Sequence, residues 1–210
     1  MTIKYKDINL NYEKYGDNKE VIVILPGWGE TRNTFLDIIN ILKIDYTVYI
    51  IDYPGFGKTE FPNYDLTLDD YAHLIIHFLR ELNIKKPNII AHSFGGRIAI
   101  LLNSTYNIIF KNLILIDSAG IKPKMTLKKK LRLKCYKTLQ ALANHLPKKL
   151  KKKVKTYLFN KFSSSDYQAL NPQMRNTFKN IINKDLTYNL SNVSANTLIL
   201  WGEKDTDTPL

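Results

Sequence analysis

The residues that could do chemistry gather in Asn88-Ile89-Ile90-Ala91-His92-Ser93-Phe94-Gly95-Gly96-Arg97-Ile98-Ala99. An apolar run stops at a serine, two glycines follow, and helix-forming residues begin. A strand, a sharp turn and a helix, with one hydroxyl pushed out at the turn, is the sequence form of a nucleophile elbow. Such a turn needs small residues two before and two after the serine so that the chains can pass closely. Ala91 and Gly95 stand there, giving A-x-S-x-G. Ser93 would attack a carbonyl carbon, and the backbone N–H of Phe94, at a helix N-terminus, would meet the developing oxyanion. On these residues alone, an ordinary strand-to-helix turn with an incidental serine is the competing reading.

Two other sets of residues resemble reactive motifs and miss their requirements. Asp52-Tyr53-Pro54-Gly55-Phe56-Gly57-Lys58-Thr59 follows a strand-like run and ends in Gly-Lys-Thr, as a phosphate-binding loop does. That loop needs a glycine where Asp52 stands and a helix starting at Lys58. Pro62 comes too soon for the helix, and an aspartate repels phosphate. His73 and His77 share a helix face at i, i+4 but lack the third ligand or glutamate of a zinc site. They read as surface or packing residues, and no metal or organic cofactor is expected.

A framework of alternating strands and helices must position the serine. Ile3 to Tyr15 alternates and predicts a short antiparallel pair. Val21-Ile22-Val23-Ile24-Leu25 is a β-branched run suited to a strand buried on both faces, ending at Pro26-Gly27-Trp28-Gly29-Glu30. Thr34 to Leu42 has helical spacing, Tyr46 to Ile51 is a strand, and Leu68 to Leu82 is an amphipathic helix with acidic residues in its first turn. Asn88 to Ala91 leads into the elbow, Arg97 to Leu102 continues as the helix behind it, and Asn112 to Asp117 is another buried strand. This rhythm predicts a mostly parallel sheet covered by helices on both faces.

After Ser118-Ala119-Gly120 the rhythm breaks. The expected organisation is a core over residues 1–120, a basic helical insert over 121–192, and the core resumed over 193–210. Leu127, Leu131, Leu139, Leu142 and Leu146 fall at helical intervals among lysines. Further helices are expected near Lys149 to Phe159 and Pro172 to Ile182, before the strand Thr197 to Trp201.

Composition narrows the classes. At 210 residues the chain can bury a substantial core, and 44% hydrophobic residues argue for a globular fold. Cys135 is alone, so no internal disulfide framework is expected. The N-terminus lacks the apolar core of a signal peptide, and no apolar run nears membrane-spanning length. A soluble cytoplasmic protein is the expectation. The net charge of +12 belongs to one segment: Ser118 to Ser165 holds 15 Lys and Arg and no Asp or Glu, while the rest carries a slight acidic excess. That segment reads as the solvated face of amphipathic helices over a cleft. It also reads as a weak contact for an anionic substrate or membrane surface, since leucine on one side and lysine on the other make an interfacial helix. A nucleic-acid motif is absent, and no nucleic-acid partner is expected.

Taken together, four landmarks resemble the α/β-hydrolase superfamily in its single-sheet form with a helical cap. They are Pro26-Gly27-Trp28-Gly29, Asp52-Tyr53-Pro54-Gly55-Phe56-Gly57, the elbow around Ser93, and Leu200-Trp201-Gly202-Glu203-Lys204-Asp205. The resemblance covers nearly the whole chain, most loosely the cap. It implies Ser93 as nucleophile, backbone N–H groups of Trp28 and Phe94 as the oxyanion hole, and Asp205 as the triad acid, with Asp117 as runner-up. Pro26 stands where relatives open this loop with histidine, which leaves the Trp28 donor in place. Serine at the elbow, where dehalogenases and epoxide hydrolases carry aspartate, points instead to hydrolysis of a small-molecule carboxylic ester. Thioester, peptide and carbon–carbon cleavage remain open.

The resemblance places the triad histidine some tens of residues beyond Asp205, hence beyond Leu210, together with the last strand and helix. His73, His77, His92 and His145 are unconvincing substitutes; the His92 side chain is expected to point away from the elbow. The 210-residue chain is therefore expected to be truncated and inactive by itself. The contrasting expectation is a catalytically dead hydrolase fold that binds an anionic partner or membrane surface through its lysine-rich cap.

Overall fold

A computed structural model describes residues 1–122, 126–163, 167–168, 170–206 and 208; Leu210, where the sequence ends, lies outside the described residues. Its strands are β1 (Thr2–Tyr5), β2 (Ile8–Tyr15), β3 (Val21–Leu25), β4 (Thr47–Ile51), β5 (Asn88–His92), β6 (Asn112–Ile116) and β7 (Thr197–Leu200). They form one sheet in the order β1-β2-β4-β3-β5-β6-β7. β1, β2 and β4 pair antiparallel, and β4, β3, β5, β6 and β7 run parallel.

The period-two pattern of the strands divides the core in two. Val23, Leu25, Ile89, Ala91, Leu113 and Leu115 join the cluster that includes α2 (Leu68–Glu81) and α3 (Phe94–Ser104). Ile22, Ile24, Ile50 and Ile90 face the other way, toward Phe35 and toward Ile39 of α1 (Leu36–Leu42). A one-residue register slip would exchange these two sets, so the register is strongly specified. The acidic first turn of α2 forms a capping box: Asp70 N–H donates to Thr67 Oγ1, and Thr67 N–H donates to Asp70 Oδ2 at 2.8 Å.

β3 has β4 on one side and β5 on the other, so successive connections leave it in opposite directions. At such a switch point the loops after the two strands part and open a crevice at the carboxyl ends. The loop after β3 and the Ser93 turn after β5 both emerge there.

The chain divides into two compact units, Met1–Lys122 with Lys179–Leu210, and Pro123–Phe178. In the first, the end of α6 (Arg175–Asn183, the helix that crosses the division) is tied to the helix behind Ser93. Arg97 of α3, only 8% exposed, donates to the carbonyls of Ile181 at 3.3 Å and Lys184 at 2.8 Å. A cation on helix-end carbonyls, of which Ile181 O also accepts the Lys184 N–H at 3.3 Å, is favourable both as a donor and against the helix dipole. Lys184 pairs with Asp69, and Asn103 Oδ1 accepts the Ser194 N–H at 2.7 Å, which leads the chain into β7.

In the second unit α4 (Leu127–Ala143) packs against α5 (Lys148–Phe162). Some of its aromatic rings pack within the unit: Tyr136 lies 5.3 Å from Phe162, and the Arg175 guanidinium lies 4.5 Å over Phe159. No helix among the described residues is long and apolar enough to cross a membrane.

β7 pairs with β6 and, among the described residues, with no other strand. Its Leu198, Ile199 and Leu200 are 53%, 60% and 45% exposed. An apolar strand with an open edge templates edge-to-edge association. Ile199→Lys is accordingly expected to raise the soluble fraction of residues 1–210 when they are expressed alone. An unchanged soluble fraction on centrifugation would show that association starts elsewhere.

Candidate active site

Ser93 occupies the turn between β5 and α3 at φ 46° and ψ −108°, a left-handed φ that a non-glycine residue adopts at a cost of about 1–3 kcal/mol. Three hydrogen bonds hold it. Ser93 N–H donates to Ile116 O at 3.1 Å, and Ser93 O accepts the N–H groups of Gly96 and Ala119, each at 3.0 Å. The serine is half-buried. Close approach explains the small neighbours. A Cβ at Gly95 would lie 2.0 Å from Leu25 O, and one at Gly96 would lie 2.0 Å from Ser118 Oγ. Ala91 is fully buried and sits in register with Leu25 and Leu115.

Phe94 begins α3, so its N–H has no acceptor within the helix. Its ring lies 5.2 Å edge-on to Trp28, which is carried by the loop after β3. The structure thus brings together the two residues expected to form the oxyanion hole. Tyr53 and Tyr71 complete an aromatic floor at 5.2 Å and 5.1 Å from Phe94, and Phe56 packs 5.0 Å from Trp28. These rings fix the position of Phe94 and of the Trp28 loop from below.

Both candidate acids stand at the same carboxyl edge, one on either side of Gly202. A Cβ at Gly202 would lie 3.7 Å from Asp117 Oδ1 and 3.9 Å from Asp205 Cβ. Asp117, at φ 42°, accepts the Gly202 N–H on Oδ1 at 2.7 Å and so braces the loop after β7. Asp205 accepts the Thr208 N–H at 3.1 Å and the Thr208 hydroxyl. Among the described residues, no histidine is hydrogen-bonded to Ser93. His73 rests 4.9 Å from the Tyr106 ring, His77 Nε2 meets Lys4 O at 3.0 Å, and His145 lies in the second unit.

His92 has a role that the sequence does not announce. Its Nδ1 lies 2.8 Å from Glu30 Oε2, and the same oxygen accepts the Gly27 N–H at 2.6 Å. One carboxylate therefore ties the residue before the nucleophile to the loop that carries Trp28. A Cβ at Gly27 would sit 2.7 Å from that oxygen and 2.9 Å from His92 Nδ1, so the bridge needs glycine there. The signal available in the sequence was a lone acid at the end of a glycine-rich loop, 62 residues from its partner.

The bridge is charged over a definite pH range. The hydrogen bond to Glu30 raises the His92 pKa above its ordinary 6.5 against the effect of burial, with the charges of Glu30, Asp117 and Asp205 adding to it. Burial pushes the Glu30 carboxyl up, but the hydrogen bonds from His92 and Gly27 outweigh it and hold it below its ordinary 4.5. A raised imidazole pKa stabilises the fold fully below 6.5 and progressively less as pH climbs through the raised value. A lowered carboxyl pKa stabilises above 4.5 and less as pH falls through the lowered value. The pair contributes most between 4.5 and 6.5. Glu30→Gln is expected to cost about 1–3 kcal/mol in that window, read as a fall in Tm, and less at about pH 9. A fall in Tm that does not vary with pH would rule out charge pairing at this position.

A profile of the alpha/beta hydrolase fold family matches residues 20–209. The chain belongs to that family. It is 27% identical over 115 residues to "Uncharacterized hydrolase YugF" of Bacillus subtilis, covering 54% of this chain and 42% of that one. It is 31% identical over 127 residues to the pimeloyl-[acyl-carrier protein] methyl ester esterase of Proteus mirabilis, covering 54% and 46%. Each match spans less than half of the relative's own length. Among solved structures, a bacterial membrane phospholipase A superposes with a TM-score of 0.74 at 20% identity, over 100% of this chain and 71% of that one, which shows a shared fold.

Proposed function

We propose that the chain carries the nucleophile of a serine hydrolase acting on a small-molecule carboxylic ester or related acyl compound. The observation that carries this reading is Ser93 held at φ 46° at the N-terminus of α3, beside the Trp28 loop. Ser93 Oγ adds to the carbonyl carbon while its proton passes to an imidazole. The N–H groups of Trp28 and Phe94 receive the oxyanion of the tetrahedral intermediate. The intermediate then collapses, the leaving alcohol takes the proton from the imidazolium, and an acyl-Ser93 ester remains for water to hydrolyse. Asp205, with Asp117 as the alternative, orients the imidazole and stabilises its charged form. The imidazole comes from a histidine following residue 210; the partners already engaged by His73, His77 and His92 support that assignment.

Fluorophosphonate labelling tests the reading. The protein expressed from its complete reading frame should carry one adduct, located by peptide mass spectrometry at Ser93. Labelling at another serine, or none in a protein that turns over esters, would overturn it.

A further inference from the structure

The second unit presents an amphipathic surface that its own packing leaves uncovered. On α4, Leu127, Leu131 and Leu142 fall within one face at helical spacing and are 79%, 67% and 61% exposed. Lys128, Lys130 and Lys134 flank that face. On α5, Leu150 and Tyr157, one face apart by two turns, are 49% and 60% exposed. Lys149, Lys152 and Lys153 line an open depression beside Tyr157. Among the described residues, no lysine or arginine of α4 or α5 belongs to an ion pair. Their charge is therefore not neutralised by ion pairs with carboxylates of the described residues.

Leucines exposed to this degree are a cost in water, and a cationic rim without counter-charges repels itself. Both costs are relieved by one kind of surface: an apolar layer beneath a sheet of anionic phosphates. Helices of this make-up lie in the interface plane, with leucine at the headgroup–acyl boundary and lysine on the phosphates. Each lysine near such a surface adds to the attraction. A nucleic acid would use the lysines and leave the leucines in water. It would also look for several exposed aromatic platforms; Tyr157 is exposed, whereas Phe159, Phe162 and Tyr136 are engaged within the unit.

We propose that α4 and α5 form a docking face for an anionic phospholipid bilayer, inserting Leu127, Leu131 and Leu142 and placing the α5 lysines on headgroup phosphates. The docking itself is independent of the ester-hydrolase reading.

Vesicle flotation of the protein decides the matter, using phosphatidylglycerol vesicles, phosphatidylcholine vesicles and a single-stranded RNA oligomer as probes. Strong binding to phosphatidylglycerol and little to phosphatidylcholine is expected. That binding should fall by about tenfold or more as salt rises from 0.1 M to 1 M and the Debye length contracts from about 10 Å to 3 Å. The triple variant Leu127→Ser/Leu131→Ser/Leu142→Ser and the triple variant Lys149→Glu/Lys152→Glu/Lys153→Glu should each lose at least tenfold while keeping the wild-type circular dichroism spectrum. Ser93→Ala should bind vesicles like wild type, which separates docking from catalysis. Equal binding to both lipids would overturn the proposal. So would a leucine variant that binds phosphatidylglycerol as wild type does, or RNA binding tighter than vesicle binding and indifferent to the leucines.

Discussion

Ser93→Ala, in the protein expressed from its complete reading frame, is expected to lower kcat on p-nitrophenyl esters by roughly 10⁴–10⁶-fold while KM changes little. Removal of the hydroxyl leaves the proposed oxyanion donors and the aromatic floor in place, so substrate is expected to bind still and only the covalent step to be lost. Members of such a constellation act as a unit, and what remains is the roughly 10³–10⁴-fold over water that binding and oxyanion stabilisation supply. The same variant should gain stability, because alanine removes a polar group from a strained turn without altering the hydrogen bonds of its backbone N–H and C=O. A fall in kcat with unchanged or raised Tm is therefore the signature. Turnover that survives the substitution would place the nucleophile elsewhere.

What could be read in the sequence was what short-range physics writes there. The apolar runs of β3, β5 and β6 announced buried parallel strands, and the acidic residues Asp69 and Asp70 announced the first turn of α2. Ala91, Ser93 and Gly95 announced a turn whose strained φ the structure bears. Boundaries were less legible where tertiary contact sets them. α3 begins at Phe94, directly after the strained residue, and the helical stretch from Pro172 opens as a 3-10 turn capped by the Asn171 side chain. Long-range pairs were invisible. Arg97 meets carbonyls more than 80 residues away, and Glu30 meets His92 across 62 residues. No local pattern encodes either pair, because each exists only after the sheet has brought the ends of its strands together. The expectation that the His92 side chain points away from the nucleophile rested on strand alternation. What alternation could not supply was its partner on the Trp28 loop.

Gly95→Ala should be the most damaging single methyl group that can be added to this chain. The new Cβ would lie 2.0 Å from Leu25 O, 2.6 Å from Leu25 C and 2.8 Å from Pro26 O, all of them backbone atoms. Leu25 ends β3, which is paired on both sides, to β4 through Ile24–Ile50 and to β5 through Leu25–Ala91. The strand cannot retreat without breaking one of those ladders, so α3 must move instead. Overpacking of a tight core commonly costs about 1–3 kcal/mol, and a clash with fixed backbone belongs at or above the top of that range. Displacing α3 also carries Phe94 away from Trp28, the two residues proposed as oxyanion donors, and labelling of Ser93 by fluorophosphonate should slow by at least about tenfold even in molecules that remain folded. Gly96→Ala is the matched control. Its Cβ would meet Ser118 Oγ at 2.0 Å, which can rotate aside, and Ser118 Cβ at 2.8 Å, while the nearest backbone atom, Ser118 Cα, stands off at 3.3 Å, so its cost should be smaller in urea unfolding. Equal losses from the two substitutions, or wild-type stability and labelling in Gly95→Ala, would mean that the Ser93 turn does not pass against the end of β3 at the distance from which the nucleophile assignment draws its support.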